Sequence, residues 1–154
     1  MEITLATKED TNGIIALLPQ IYRIDSLPQN AGRIVDDLLT ADYCQILVAR
    51  QNNEVAGCVF IFYLPNPAHG APYALLEGLV VDQNHRKHGL GTALFEKAQE
   101  LARQKNCYKI IFTTGADRPD AQKFYEKLGF EAHEHVIYMG LKVPEAVTAD
   151  SVQE

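Results

Sequence analysis

The chain predicts a mixed α/β domain, and three observations carry that prediction. Short β-rich runs alternate with stretches whose apolar residues recur at helical spacing. Among them, Leu79-Val80-Val81-Asp82-Gln83-Asn84-His85-Arg86-Lys87-His88-Gly89-Leu90-Gly91 reads as an apolar strand that ends in a basic, glycine-punctuated turn and opens a helix. Further on, Ala121 to Phe130 reads as a short helix closed by Gly129-Phe130.

Taken in order, Glu2 to Ala6 reads as a first strand. Thr7 and Asp10 make a capping box ahead of Ile14, Leu17, Leu18 and Ile21, the apolar face of a first helix. Leu27-Pro28 breaks that pattern, and Ile34, Val35, Leu38 and Leu39 predict a second helix ending near Thr40. Ile46 to Ala49 and Val55 to Tyr63 are strands two and three, joined across Gln51-Asn52-Asn53-Glu54 in a hairpin-like connection. Pro65 to Pro72 is rich in breakers and predicts a loop before strand four, Tyr73 to Val81. Gly78 inside that strand marks a bulge or a close backbone approach. Leu90, Ala93, Leu94, Ala98, Leu101 and Ala102 form the buried stripe of a third helix. Cys107 is expected to open strand five as a small apolar residue, with the strand itself running Lys109 to Thr114. Pro119 suits the first position of a fourth helix whose apolar face is Ala121, Phe124, Tyr125 and Leu128. His135 to Leu141 predicts a sixth strand. The expected organisation is one domain over 1–142 and a loose tail over 143–154.

Composition narrows the function classes. Fourteen Lys plus Arg against twenty Asp plus Glu give a net charge of −6, which argues against nucleic acid as a partner, since a phosphate backbone asks for a basic face. Cys44, Cys58 and Cys107 form no C-x-x-C pair, so neither disulfides nor a zinc site is indicated and a reducing cytoplasm fits. Met1-Glu2-Ile3-Thr4 has no basic leader, and the nearly apolar run from Val55 to Leu64 is far short of the ~18 residues a membrane span requires. The expectation is a cytoplasmic protein with no membrane association.

The turn after strand four is the chemically informative segment. A helix start offers backbone N–H groups without intrahelical partners and the positive end of the helix dipole, so such a strand-turn-helix can cradle a phosphate. A nucleoside-triphosphate loop needs Gly-Lys-Ser/Thr, but Gly91 is followed by Thr92-Ala93-Leu94. The dinucleotide fingerprint needs a small third residue where Leu94 stands. What remains is Arg86-x-x-Gly89-x-Gly91, a loop with its cation ahead of its glycines. Here the chain resembles the GNAT superfamily of acyl-CoA-dependent N-acetyltransferases. Ala121-Gln122-Lys123-Phe124-Tyr125-Glu126-Lys127-Leu128-Gly129-Phe130 resembles that superfamily's second signature, and the two motifs stand in family order.

The resemblance implies a central twisted mixed sheet, splayed between strands four and five to admit acetyl-CoA and flanked by about four helices. It implies direct transfer of an acetyl group to a primary amine of a small molecule in a ternary complex, without a metal. The alternatives are acetylation of a protein or peptide amine and a non-catalytic module that senses coenzyme A. An aliphatic amine has a pKa near ~10.4, so about one molecule in a thousand is nucleophilic at neutral pH and the reaction needs a base. Glu77 resembles the family's glutamate base, and strand alternation would turn it to the same side as Leu79. By the same resemblance the amide of Leu79 stabilises the oxyanion, backbone around Val80 and Val81 holds the pantetheine arm, and Tyr125 protonates the leaving thiolate, with Phe124 beside the coenzyme. The diphosphate would meet the backbone of Lys87, His88, Gly89, Leu90, Gly91 and Thr92, with Arg86 adding charge. Gly115 and Arg118 stand where the family often carries an asparagine. The acceptor would lie against the first two helices and the 65–72 loop, with Asp25, Asp36 and Asp37 and the loop residue His69 nearby. His133 and His135 flank the sixth strand. Oligomeric state is left open, a homodimer being one state that relatives adopt.

Overall fold

The computed structural model describes residues 1–114 and 118–130. In chain order the elements are β1 (Glu2–Leu5), α1 (Thr11–Tyr22), α2 (Ala31–Thr40), β2 (Cys44–Gln51), β3 (Glu54–Asn66), β4 (Ala71–Val81), α3 (Leu90–Gln104), β5 (Ile110–Phe112) and α4 (Pro119–Lys127). They fall in two compact units, Met1–Pro119 and the stretch from Asp120 onward. The sheet runs β1-β2-β3-β4-β5, antiparallel except for the parallel β4–β5 pair. The sixth strand expected at His135 to Leu141, together with His133, Gly115 and the tail, lies outside the described residues.

Short-range chemistry explains most of the boundaries. Asp10 accepts hydrogen bonds from the Thr7 N–H and hydroxyl, closing the capping box, but around a 3-10 turn at Lys8–Asp10 that leads into α1. Asn52 and Asn53 both have positive φ, the geometry of a two-residue turn whose twist matches a β-hairpin. One face of the sheet carries Ile46, Val48, Cys58, Phe60 and Val80, packed in a single apolar cluster with Ile14 and Leu17 of α1 and Val35 of α2. α3 covers the opposite face, burying Leu90, Leu94, Phe95, Ala98, Leu101 and Ala102. Its predicted stripe holds except that Ala93 is half-buried and Phe95 is an additional buried member.

Four expectations are corrected. The 65–72 segment is mostly strand: Pro65 lies opposite Pro72 and Asn66 opposite Ala71, leaving only a tight turn between them. Ala74 donates its N–H outward to Lys109, so by alternation the Pro65–Pro72 pair occupies positions where the β3–β4 ladder asks for no N–H donor, and both prolines are tolerated. Gly70 is then seven residues from Glu77, about 23 Å along the strand, so this hairpin tip is no wall for a site around Glu77. His69 there stacks on Tyr108 with ring centroids 4.0 Å apart. Cys107 does not open a strand. It closes α3, donating its N–H to Ala102 O while Asn106, at φ +56, donates to Arg103 O. β5, Ile110–Phe112, is also shorter than the predicted Lys109 to Thr114.

Candidate active site

The gap beside β4 follows from strand lengths. Only Ala74, Leu75 and Leu76 pair with β5, as partners of Ile110, Ile111 and Phe112, whereas β4 continues to Val81. Along Glu77 to Val81 one edge of β4 therefore has no ladder partner among the described residues, which is the splay between strands four and five.

A bulge decides which backbone groups look into that gap. Glu77 pairs with Phe60 and Val80 with Cys58, so Gly78 and Leu79 together oppose the single residue Val59. Gly78 takes φ +62, and a Cβ added there would stand 3.0 Å from Phe60 Cδ2, so both the conformation and the space require glycine. Before the bulge, Ala74 points its N–H toward β5; after it, Asp82 donates to Ala56 O of β3 at 2.8 Å. Alternating back from Asp82, Val80 faces β3 and the N–H groups of Leu79 and Val81 face the gap. In an unbroken strand the parity would be reversed. The same bulge corrects the expectation that Glu77 and Leu79 share a face: the register sets Glu77 in line with Phe60, Cys58 and Val80, on the face covered by α1 and α2. It also separates Val80 from its neighbours, because its polar backbone serves β3 and its side chain is buried in the core.

Glu77 is half-buried, and burial raises its pKa above the ordinary carboxylate value. Among the described residues it has no hydrogen-bond or ion-pair partner. The nearby Tyr22, at the end of α1, has its phenol pKa raised first by desolvation and then by the negative charge of Glu77. Cys58 is fully buried, its thiol pushed up to about 12, and stays a protonated donor whose Sγ lies 3.8 Å from Gly78 O at the bulge.

The loop after β4 is built from side-chain supports below and open amides above. Asp82 Oδ1 accepts the Asn84 N–H at 2.9 Å, and Arg86 Nε donates to Val81 O at 3.1 Å. Lys87 has φ +66 and Gly89, which precedes α3, φ +80, the left-handed backbone from which anion-binding turns are built. Among the described residues the amides from Lys87 to Thr92 donate no hydrogen bond to the protein; the ladder resumes with Ala93 N–H to Gly89 O. Arg86, Lys87 and His88 are exposed around them, while the side chain of Leu90 is buried. Six unpaired amides at the positive end of a helix, ringed by cations, fit an anion such as a diphosphate.

In the second unit, α4 ends as its sequence predicts. Phe130 donates to Tyr125 O and Gly129, at φ +90, to Glu126 O, with the Phe130 ring edge-on to Tyr125 at 6.2 Å. Ala121, Phe124, Tyr125 and Leu128 are half-buried, and Phe124 packs edge-on against Tyr125 at 5.3 Å.

With this geometry in place, comparison with known proteins is decisive for the family: the Acetyltransferase (GNAT) family matches residues 13–130. The chain belongs to the GNAT family. It is 42% identical over 66 residues to a glucosamine 6-phosphate N-acetyltransferase of Trypanosoma brucei brucei, a match covering 43% of this chain and 43% of that protein. It is 27% identical over 109 residues to an aminoglycoside N(6')-acetyltransferase type 1 of Acinetobacter haemolyticus, covering 69% of this chain and 75% of that one. A solved structure, a putative acetyltransferase from Agrobacterium tumefaciens, matches 92% of this chain and 100% of its own, with TM-score 0.82 and 27% identity. The chain thus spans less than half the length of the first of these relatives. No helix among its described residues is long and apolar enough to cross a membrane.

The remaining sequence-predicted residues separate. Asp36 accepts a hydrogen bond from Thr11 at 2.6 Å and is thereby committed to joining α2 to α1, whereas Asp25 and Asp37 are exposed. Arg118 donates to Ile21 O at 3.1 Å, at the end of α1. Two residues beside the loop and the bulge carry no sequence motif: Gln20, whose carboxamide reaches Asp82, and Cys58, whose Sγ lies at the bulge.

Proposed function

We infer that this chain is an acetyl-CoA-dependent N-acetyltransferase that transfers an acetyl group to a primary amine of a small molecule by direct attack. The observation that carries the reading is the pair of Leu79 and Val81 amides, turned by the Gly78 bulge into a gap that leads to the unpaired amides of Lys87 to Thr92. A thioester on a phosphorylated carrier needs those two features in series, an anion cradle for the carrier and N–H dipoles for the carbonyl. Glu77 takes the amine proton, directly or through water, and its raised pKa makes it a better base than an exposed carboxylate. As nitrogen bonds to the carbonyl carbon, the oxygen gains negative charge and the Leu79 N–H stabilises it. Collapse of that intermediate breaks the carbon–sulfur bond, and Tyr125, assigned by family resemblance, protonates the departing thiolate. Val81 holds the pantetheine arm, with Phe124 beside the coenzyme; Arg86 and His88 add charge around the diphosphate, His88 only when protonated. A small amine as acceptor is supported by the relatives, named for glucosamine 6-phosphate and aminoglycosides.

A thiol-release screen with acetyl-CoA against amino sugars, aminoglycosides, simple alkylamines and lysine-containing peptides tests the reading. Turnover of a small amine is expected. Turnover of peptides alone would move the assignment to protein acetylation, and calorimetry showing no affinity of the folded protein for coenzyme A would end it.

A further inference from the structure

Gln20 is the polar joint between the two halves of the site. It lies in the last turn of α1, two residues before Tyr22, and its carboxamide is used at both ends. Nε2 donates to Asp82 Oδ2 at 2.9 Å, and Oε1 accepts the Gln83 N–H at 3.1 Å. Asp82 Oδ1 meanwhile accepts from Asn84 and lies 3.3 Å from His85 Nδ1. Asp82 is thus the post on which the entry to the amide loop hangs, and Gln20 ties that post to a helix 62 residues away in sequence.

The rest of α1 meets the sheet through apolar groups, Ile14, Leu17 and Leu18, so Gln20 is a directional polar tie from this helix to the loop. Pro19 immediately precedes Gln20 inside the helix. With no N–H to give Ile15 O, it removes one rung of the ladder, so the turn beyond it depends more on its side ties, the Gln20 carboxamide and the Arg118 bond to Ile21 O. That turn carries Tyr22, which shares the electrostatic environment of Glu77.

We propose that Gln20 is a positioning residue that couples occupancy of the Lys87–Thr92 amide loop to the order of the last turn of α1, so that coenzyme binding sets the wall against which the acceptor amine is held. The proposal rests on the coenzyme assignment of that loop. An anion seated on the amides immobilises residues 82–92. Through Asp82 and the Gln83 N–H it immobilises the Gln20 carboxamide, and through Gln20 the turn beyond Pro19. The coupling is reciprocal: an acceptor that orders this turn tightens the loop around the coenzyme by the same factor.

Hydrogen–deuterium exchange of the full chain with and without saturating coenzyme A, alongside calorimetry, tests this without a known acceptor. In the wild type, coenzyme A is expected to slow exchange in peptides covering both 83–92 and 20–24, the latter by about tenfold. Gln20→Ala should still bind coenzyme A and protect 83–92, but slow exchange in 20–24 by less than about twofold. Gln20→Glu sets a carboxylate against Asp82 and should uncouple likewise. Adding Asp82→Asn reverses the polarity of the pair, the new amide donating to the new carboxylate, and should restore protection. Restoration is a readout that general loosening of α1 would not give. Equal protection of 20–24 in wild type and Gln20→Ala, or no rescue by the double variant, overturns the coupling and leaves the coenzyme site standing. Absence of coenzyme A binding in the wild type overturns the proposed function, and the coupling with it.

Discussion

Gly78→Ala puts the bulge on trial. The native φ of +62 is a left-handed conformation that costs an L-residue about 1–2 kcal/mol. The new methyl would also sit 3.0 Å from Phe60 Cδ2 and 3.3 Å from Cε2, in a core where Phe60 is 7% exposed, adding roughly 1 kcal/mol of overpacking. If the bulge survives, stability falls by about 2–3 kcal/mol, a Tm drop of roughly 4–12 °C for a chain of this size. The cheaper relief is to iron the bulge out, which returns the strand to simple alternation and turns the Leu79 and Val81 N–H groups toward β3. Loss of one such donor costs about a hundredfold to a thousandfold in kcat. The expected outcome is therefore a kcat reduced by at least about a hundredfold with a raised KM for acetyl-CoA, measured by thiol release on the amine found in the screen, together with a lowered Tm. A variant whose kcat and Tm both match the wild type would refute the claim that the bulge aims these amides.

Other outcomes follow from the same geometry. Glu77→Gln is expected to lower kcat by about 10²–10⁴-fold while leaving coenzyme A affinity unchanged by calorimetry. Because the pKa of Glu77 is raised by burial, its ionised form is a cost to the fold at neutral pH that disappears as pH falls through the folded value; Glu77→Gln should melt no lower than wild type at pH 8, and the acid limb of kcat/KM should vanish with it. Tyr125→Phe should slow turnover and preserve coenzyme binding; an unchanged kcat would remove Tyr125 from the chemistry. Asp10 is held by two hydrogen bonds from Arg50 and by the Thr7 N–H, which outweigh the upward push of its burial and lower its pKa. Its contribution is complete above the ordinary carboxylate pKa and is lost as pH falls through the lower folded value. Asp10→Asn should therefore cost about 2–3 kcal/mol at pH 7, discounted for the partial exposure of Arg50, and progressively less below about pH 4.

Local signals were legible in the sequence because their causes span only a few residues. The Asn52-Asn53 turn, the Thr7/Asp10 capping box, the helix opening at Leu90 and the Gly129-Phe130 closure each rest on backbone preferences within a turn or two, and each formed where its sequence placed it. The amide loop was legible for the same reason, since a helix start exposes its own N–H groups whatever lies around it. Gly78 announced an irregularity but not its effect. Whether a bulge turns Leu79 or Val80 toward the gap depends on where β5 stops pairing and on which way Asp82 donates, both of which are properties of neighbouring strands.

Sequence by itself determined the order of the described elements, the family signatures and the helix start whose amides stay unpaired, because those are written in short-range propensities and spacing. Tertiary structure alone decided the rest. It drew Pro65 and Pro72 into opposing strands, committed Asp36 to Thr11, set Glu77 on the α1 and α2 face away from Leu79, and brought Gln20 to Asp82. Each of these joins residues distant along the chain, or depends on strand register, and a register or a contact between separated segments is selected by the packing of the whole sheet, which no local pattern encodes.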